Sequence, residues 1–178
     1  NIFPQLKYYE RLKIINNLDE KIKNKYNDYL ILALLIVDQS NNYEYFCHKY
    51  KTSNSIKNKF KNIYINIDNL KNKKFYLKDN IKKLIYKTSK EDVKDLLLFS
   101  MALNSKVKKI DIMQLIQFID TYKVPKFPIS GEDLKKYGYE TGEALGKKLK
   151  TLETKWIENN FIIEKNILEE SLNKNNKN

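Results

Sequence analysis

The sequence predicts an all-α chain with no sheet: a helical body followed by a smaller helical tail. Apolar residues recur at three- and four-residue spacing almost throughout. Hairpin dipeptides such as Asn-Gly do not occur. Ser or Asn with an acid close behind stands ahead of several apolar runs, which is how helices begin. About seven to nine helices follow from these periodicities.

Leu6, Tyr9, Leu12 and Ile15 make a first apolar stripe. Leu30, Ala33, Leu34 and Val37 make a second, with Asn27 and Asp28 as cap candidates. Tyr43 to Tyr50 reads as a short aromatic helix, and Ser53-Asn54 caps one carrying Ile56, Phe60 and Ile63. The Asn/Lys-rich stretch from Asn66 to Lys78 reads as a loop or a short helical turn, before a helix with Ile81, Leu84 and Ile85. Ser89 with Asp92 forms an approximate capping box ahead of Val93, Leu96, Leu97, Met101 and Ala102. Ile112, Leu115, Ile116 and Ile119 form the next helix. Lys123 to Pro128 cannot continue it, because proline lacks a donor and restrains the residue before it. Residues 1–124 are therefore expected to form the body and 125–172 the tail, with an Asn/Lys-only end at 173–178 expected to be disordered.

In the tail, Ser130 with Asp133 repeats the capping pattern, and Gly138 is placed to stop the short helix that follows. Thr141 is expected to cap a long helix on which Leu145, Leu149, Leu152 and Trp156 share one face. A last helix is expected within Ile162 to Leu172. All four glycines of the chain (Gly131, Gly138, Gly142 and Gly146) lie within sixteen residues here, interleaved with lysines. Glycine marks sharp turns or close approach. Four together among cations point to a helical corner that meets an anionic backbone. Gly142 and Gly146, one turn apart, leave room either for a neighbouring helix or for a phosphate. Tyr137 and Tyr139 suit either core packing or stacking on a base.

The 178 residues carry a net charge of +12, and 42% are hydrophobic. Of the 34 basic residues only Arg11 is an arginine. Lysine is a hydrated point charge rather than a bidentate fork, so it suits sequence-blind attraction to phosphate. One cysteine (Cys47) excludes an internal disulfide and is the pattern of a reducing compartment. With a single neighbouring histidine (His48) it is too little for a zinc site. The longest apolar run, Tyr29 to Val37, is far short of the ~20 residues that span a bilayer. The start at Asn1, without methionine, is expected of a piece of a longer protein or a processed product.

No nucleophile–base pair, metal-ligand cluster or phosphate loop is evident. The stretch from Gly142 to Lys148 is one residue short of a phosphate loop between its glycines and has lysine where Ser or Thr must reach magnesium. The carboxylate pairs Asp19-Glu20, Glu91-Asp92 and Glu132-Asp133 each sit near a proposed helix start, where the macrodipole favours negative charge.

Pro128-Ile129-Ser130-Gly131-Glu132-Asp133-Leu134, then Gly138, then Gly142-Glu143-Ala144-Leu145-Gly146-Lys147-Lys148-Leu149, then Trp156-Ile157, resemble a motif of the CCA-adding tRNA nucleotidyltransferases of the poly(A) polymerase superfamily, in their alphaproteobacterial form. Arg11-Leu12, Ala33-Leu34-Leu35, Lys51 to Asn54 and Lys90-Glu91-Asp92 fall in the same order upstream. Thr141-Gly142-Glu143 departs from the Pro-Gly-Pro often found in the family. The family's Gly-Ser and Asp-x-Asp head motifs, and its nucleotide-reading neck, are not in this sequence.

The resemblance therefore implies the body and tail, which hold the acceptor arm and elbow of tRNA. It implies no catalytic residue, metal or cofactor here. A head in cis or in trans would use magnesium with CTP and ATP, in the cytoplasm. Lys135, Lys136, Lys147, Lys148 and Lys150 are the candidate RNA contacts, approached from the side away from Glu132 and Asp133. Gly131, Asp133, Gly138, Gly142, Gly146 and Trp156 are the structural motif. The alternative is a stand-alone helical adaptor that binds a protein through Tyr/Leu faces without RNA.

Overall fold

A computed structural model describes residues 4–103 and 109–163. Among these residues there are ten α-helices, two 3-10 turns and no strand. The elements are α1 (Tyr9–Asn16), α2 (Glu20–Lys23), α3 (Asp28–Ile36), α4 (Asn42–Lys49), α5 (Asn54–Asn66), α6 (Lys78–Lys87), α7 (Lys90–Leu103), α8 (Lys109–Thr121), α9 (Gly131–Lys136) and α10 (Glu143–Glu158). The 3-10 turns are Asn69–Lys71 and Lys73–Tyr76. The chain is all-α, and the count exceeds the expected seven to nine because α2 is too short to leave a periodic signal. Residues 162 and 163 are not helical, and the rest of the expected last helix and the 173–178 end lie outside the described residues. By contacts the chain divides into two compact units, Asn1–Tyr122 and Lys123–Asn178.

Within the first unit α7 is the hub, packed by α1, α3, α5, α6 and α8. Val93, Leu96, Leu97, Leu98, Phe99, Met101 and Ala102 are all buried, so α7 is covered on nearly every side. Phe60 and Ile63 of α5, Ile81 and Ile85 of α6, and Ile112, Ile116 and Ile119 of α8 join the same core. Tyr9, expected on an apolar stripe, is instead half exposed, and only Ile15 of α1 is buried.

Helix α3 is apolar along its length, and Leu30, Ala33, Leu34, Leu35 and Ile36 are buried. Asn27 starts it, its Oδ1 accepting the Leu30 N–H at 3.0 Å. The far end poses a harder problem, because a buried helix end cannot leave its last carbonyls to water. Each finds a donor. Arg11 Nη1 donates to the oxygens of Leu34 (2.9 Å) and Val37 (2.7 Å). The Lys7 N–H donates to Leu35 O at 3.0 Å, and Asn42 Nδ2 to Ile36 O at 2.8 Å. The Val37 N–H closes on Ala33 O at 2.8 Å. The sole arginine is thus a capping cation at a helix C-terminus, where the macrodipole also favours it. Burial lowers its pKa, partly offset by Tyr8 and Asp38, and its guanidinium lies 4.0 Å from the Tyr8 ring centroid.

A second buried charge joins α5 to α7. Lys59 Nζ lies 2.8 Å from Asp92 Oδ1 and 2.9 Å from Asp95 Oδ2. The Tyr29 hydroxyl donates to Asp95 at 2.7 Å. Asp95 is only 5% exposed, and burial pushes its pKa up despite Lys59 and Tyr29. Burial acts the same way on Asp92, but hydrogen bonds from Lys59 and Ser89 outweigh it and hold Asp92 low. Asp92 does cap α7, accepting from Ser89 Oγ at 2.7 Å while its own N–H donates to Ser89 Oγ at 3.0 Å. The sequence pattern could not show that the same carboxylate also holds Lys59.

Two substitutions check these pairings. Arg11→Met strands two buried carbonyls and is expected to cost about 3 kcal/mol in urea unfolding at pH 7; a midpoint unchanged from wild type would contradict the capping role. Lys59→Met leaves the Asp95 carboxylate buried without its cation and is expected to cost about 3 kcal/mol at pH 7. The deficit should shrink in acid, because protonating Asp95 removes the uncompensated charge. In the wild-type chain Lys59 has its pKa raised above 10.5, with burial opposed by the two aspartates. From neutral pH up to 10.5 its contribution is therefore complete, and it is lost as pH climbs through the higher folded value. Urea midpoints measured across pH for both chains test the sign.

Candidate nucleic-acid interface

The second unit is built on turn chemistry. Ser130 and Asp133 form a complete capping box on α9: the Asp133 N–H donates to Ser130 Oγ at 3.2 Å, and the Ser130 N–H donates to Asp133 Oδ2 at 2.9 Å. At the other end the Gly138 N–H donates to Lys135 O (2.9 Å) and the Tyr139 N–H to Leu134 O (3.3 Å). That pair of bonds is a Schellman motif. It needs a left-handed residue, and Gly138 supplies it with φ +87°. The accompanying apolar contact is present, because Tyr139 packs on the cluster centred on Leu134 and Leu152. Core packing is thus the role of Tyr139, while Tyr137 is exposed.

Helix α10 does not begin as the sequence suggests. Thr141 is not its cap. The N-cap is Gly142, with φ +152° and ψ −166° and no side-chain hydrogen bond. That backbone region is open essentially to glycine alone, so the corner is made by conformation rather than by a hydroxyl. The helix ends in a second Schellman motif, with Asn160 N–H to Ile157 O at 3.2 Å and Phe161 N–H to Trp156 O at 2.8 Å. Its apolar contact is Phe161 edge-on to Trp156, ring centroids 5.0 Å apart. Phe127 meets Trp156 at 5.3 Å, so the tryptophan is held between two phenylalanines. Leu145, Leu149 and Leu152 face α9, and Leu145 Cδ2 would lie 3.4 Å from a Cβ at Gly131.

A Cβ added at Gly142 or Gly146 would meet nothing within 4 Å, so no helix packs on this pair among the described residues. Both glycines are exposed, beside Lys147 and Lys150 on the solvent side of α10. Lys147 pairs with Glu143 at 2.7 Å, Lys135 with Glu132 at 2.7 Å and Lys136 with Asp133 at 3.4 Å. These are exposed pairs between near neighbours, of little net strength and readily exchanged for another anion. Lys148 Nζ lies 5.8 Å from the Tyr139 ring centroid. The five lysines therefore stand on two packed helices, three of them neutralised by adjacent acids.

The charge is distributed unevenly. Residues 1–122 hold 23 basic and 13 acidic side chains, a net +10, whereas residues 123–178 hold 11 and 9, a net +2. Most of the excess positive charge thus lies outside the glycine–lysine corner, which a charge tally by segment would have revealed. Among the described residues no three His, Cys, Asp or Glu side chains are placed to hold a metal, and Cys47 is buried. No described helix is long and apolar enough to cross a membrane.

No curated protein and no solved structure matches the chain. The family model for tRNA nucleotidyltransferase domain 2 matches residues 20–172, which take in most of the first unit and the whole α9–α10 corner. The chain belongs to the tRNA nucleotidyltransferase domain 2 family.

Proposed function

We propose that the chain is the tRNA-holding part of a tRNA nucleotidyltransferase that completes CCA at tRNA 3′ ends, working with a catalytic head in cis or in trans. The family match over residues 20–172 carries this reading. The physical character of the chain supports it. An enzyme that serves every tRNA needs contacts blind to sequence, and double-helical RNA is recognised by its shape and backbone. Lysines on rigid helices supply such contacts, and a net charge of +12 supplies long-range attraction. In this reading Lys135, Lys136, Lys147, Lys148 and Lys150 meet phosphates of the acceptor arm and elbow, and the open glycine side of α10 admits the backbone closely. Magnesium, CTP and ATP belong to the head. The cytoplasm is the compartment, where tRNA is matured.

Two measurements test the proposal. With ~4–6 lysines on phosphates, log affinity for tRNA should fall against log salt with a slope of roughly −3 to −5. A flat response, or no binding, favours the adaptor that recognises a protein instead. The isolated chain, given tRNA, CTP, ATP and magnesium, should add no nucleotide.

The glycines give a finer test. Gly146→Ala places a better helix former at an open position and should stabilise the chain by about 0.5–1 kcal/mol, yet weaken tRNA binding severalfold. Gly142→Ala should instead cost about 1–3 kcal/mol through backbone strain. Thermal melts and a tRNA titration of each variant separate the two roles, and a stabilised Gly146→Ala with undiminished affinity would exclude a phosphate at this face.

A further inference from the structure

The chain's charge is concentrated in one segment of the first unit. Residues 54–88, covering α5, the two 3-10 turns and α6, contain ten lysines and only two acids, a net +8 of the chain's +12. Three of these lysines are committed: Lys59 to Asp92 and Asp95, Lys71 to Asp68, and Lys82 to Asp79. The pairings of Lys71 and Lys82 also occupy both acids of the segment. Lys57, Lys61, Lys73, Lys74 and Lys87 have no carboxylate partner among the described residues.

The same segment folds around a groove of about 290 Å3. One wall is a single face of α6, formed by Asn80, Lys83, Leu84 and Lys87 at three-, one- and three-residue steps. The other is the end of α5 and the 3-10 turns, with Asn66, Asn69, Asn72, Lys74 and Phe75. The lining thus has three ammonium-bearing side chains, four carboxamides, two apolar groups and no carboxylate.

Internal bonds hold the amides in place. Asn80 Nδ2 donates to Lys74 O at 2.6 Å, joining the two walls, and Asn72 Oδ1 accepts the Lys74 N–H at 2.9 Å. Asn66 Nδ2 donates to Asn62 O at 2.9 Å. Asn80 Oδ1, Asn69 Oδ1 and Asn72 Nδ2 are left without a partner among the described residues, so the groove offers both acceptors and a donor beside its cations.

We infer that this groove takes one nucleotide of an RNA strand: lysine ammonium groups on the phosphate and asparagine amides on the sugar or base edge. A phosphate alone needs only donors, whereas the free carbonyl oxygens add acceptors that suit a ribose hydroxyl or a base amino group. The volume lies at the lower end of the range for small-ligand sites, roughly 300–1,000 Å3. The inference rests on the reading that the chain holds tRNA, and it places a second anchor on the first unit, apart from the α9–α10 lysines.

The test compares Lys74→Gln/Lys87→Gln with a control of equal charge loss elsewhere, Lys13→Gln/Lys21→Gln on α1 and α2. All four side chains are exposed, and unchanged melting temperatures would show that both variants fold. The groove variant should bind tRNA roughly tenfold more weakly at low salt, with a log–log salt slope shallower by about two; the control should move far less. In amide NMR of the wild-type chain, tRNA should shift the side-chain signals of Asn69, Asn72 and Asn80. Equal losses in the two variants, or unmoved asparagine signals, would overturn the groove while leaving salt-sensitive tRNA binding in place. Absence of any tRNA binding would sink the groove and the proposed function together. A response of these signals to CTP or ATP below the millimolar range, with none to tRNA, would overturn the assignment to an RNA strand.

Discussion

The first unit depends on how the C-terminal end of α3 is satisfied. An apolar helix in the middle of a core contributes much burial, but its last carbonyls would offset much of that gain if they met no donor. Here the donors come from three other places in the chain: Arg11 in α1, the backbone at Lys7, and Asn42 at the start of α4. Asn42 Nδ2 also donates to Gln5 O at 3.0 Å, so one amide ties α4, the end of α3 and the N-terminal segment together. Hydrogen bonding at one helix end thereby sets where three elements meet, and α7 packs against the result.

Charge is used in two distinct ways. Arg11 and Lys59 are half-buried, hydrogen-bonded and surrounded by acceptors, so their work is structural. Among the described residues most other lysines are exposed, and several pair only with an acid one turn away. Exposed cations of that kind neither hold a fold together nor perform acid–base chemistry; they set the field that a polyanion meets. The proposed holding of a nucleic acid rests on the second use.

Much of the secondary structure was legible because capping is local. Asn27, Ser53 and Ser130 each cap the helix their position indicates, and Gly138 ends α9 where a left-handed residue is needed. Thr141 misled because a hydroxyl before a helix is only one way to begin it, and Gly142 turns the chain by an ε-region backbone instead. The Schellman end of α10 was missed because it uses Asn160 and Phe161 rather than glycine. In the candidate site, the glycine–lysine corner was visible as a composition change. The asparagine–lysine groove was not, since only the packing of α6 beside the 3-10 turns brings Asn80 to Lys74.

By itself the sequence determined the all-α class and most helix starts, because these rest on spacing and caps within a few residues of each other. Tertiary structure alone decided that the one arginine closes a distant helix end, that Asp92 serves both a cap and Lys59, and that no described residue packs on Gly142 and Gly146. Those outcomes depend on which groups lose water together when separate helices pack, and no local pattern encodes that.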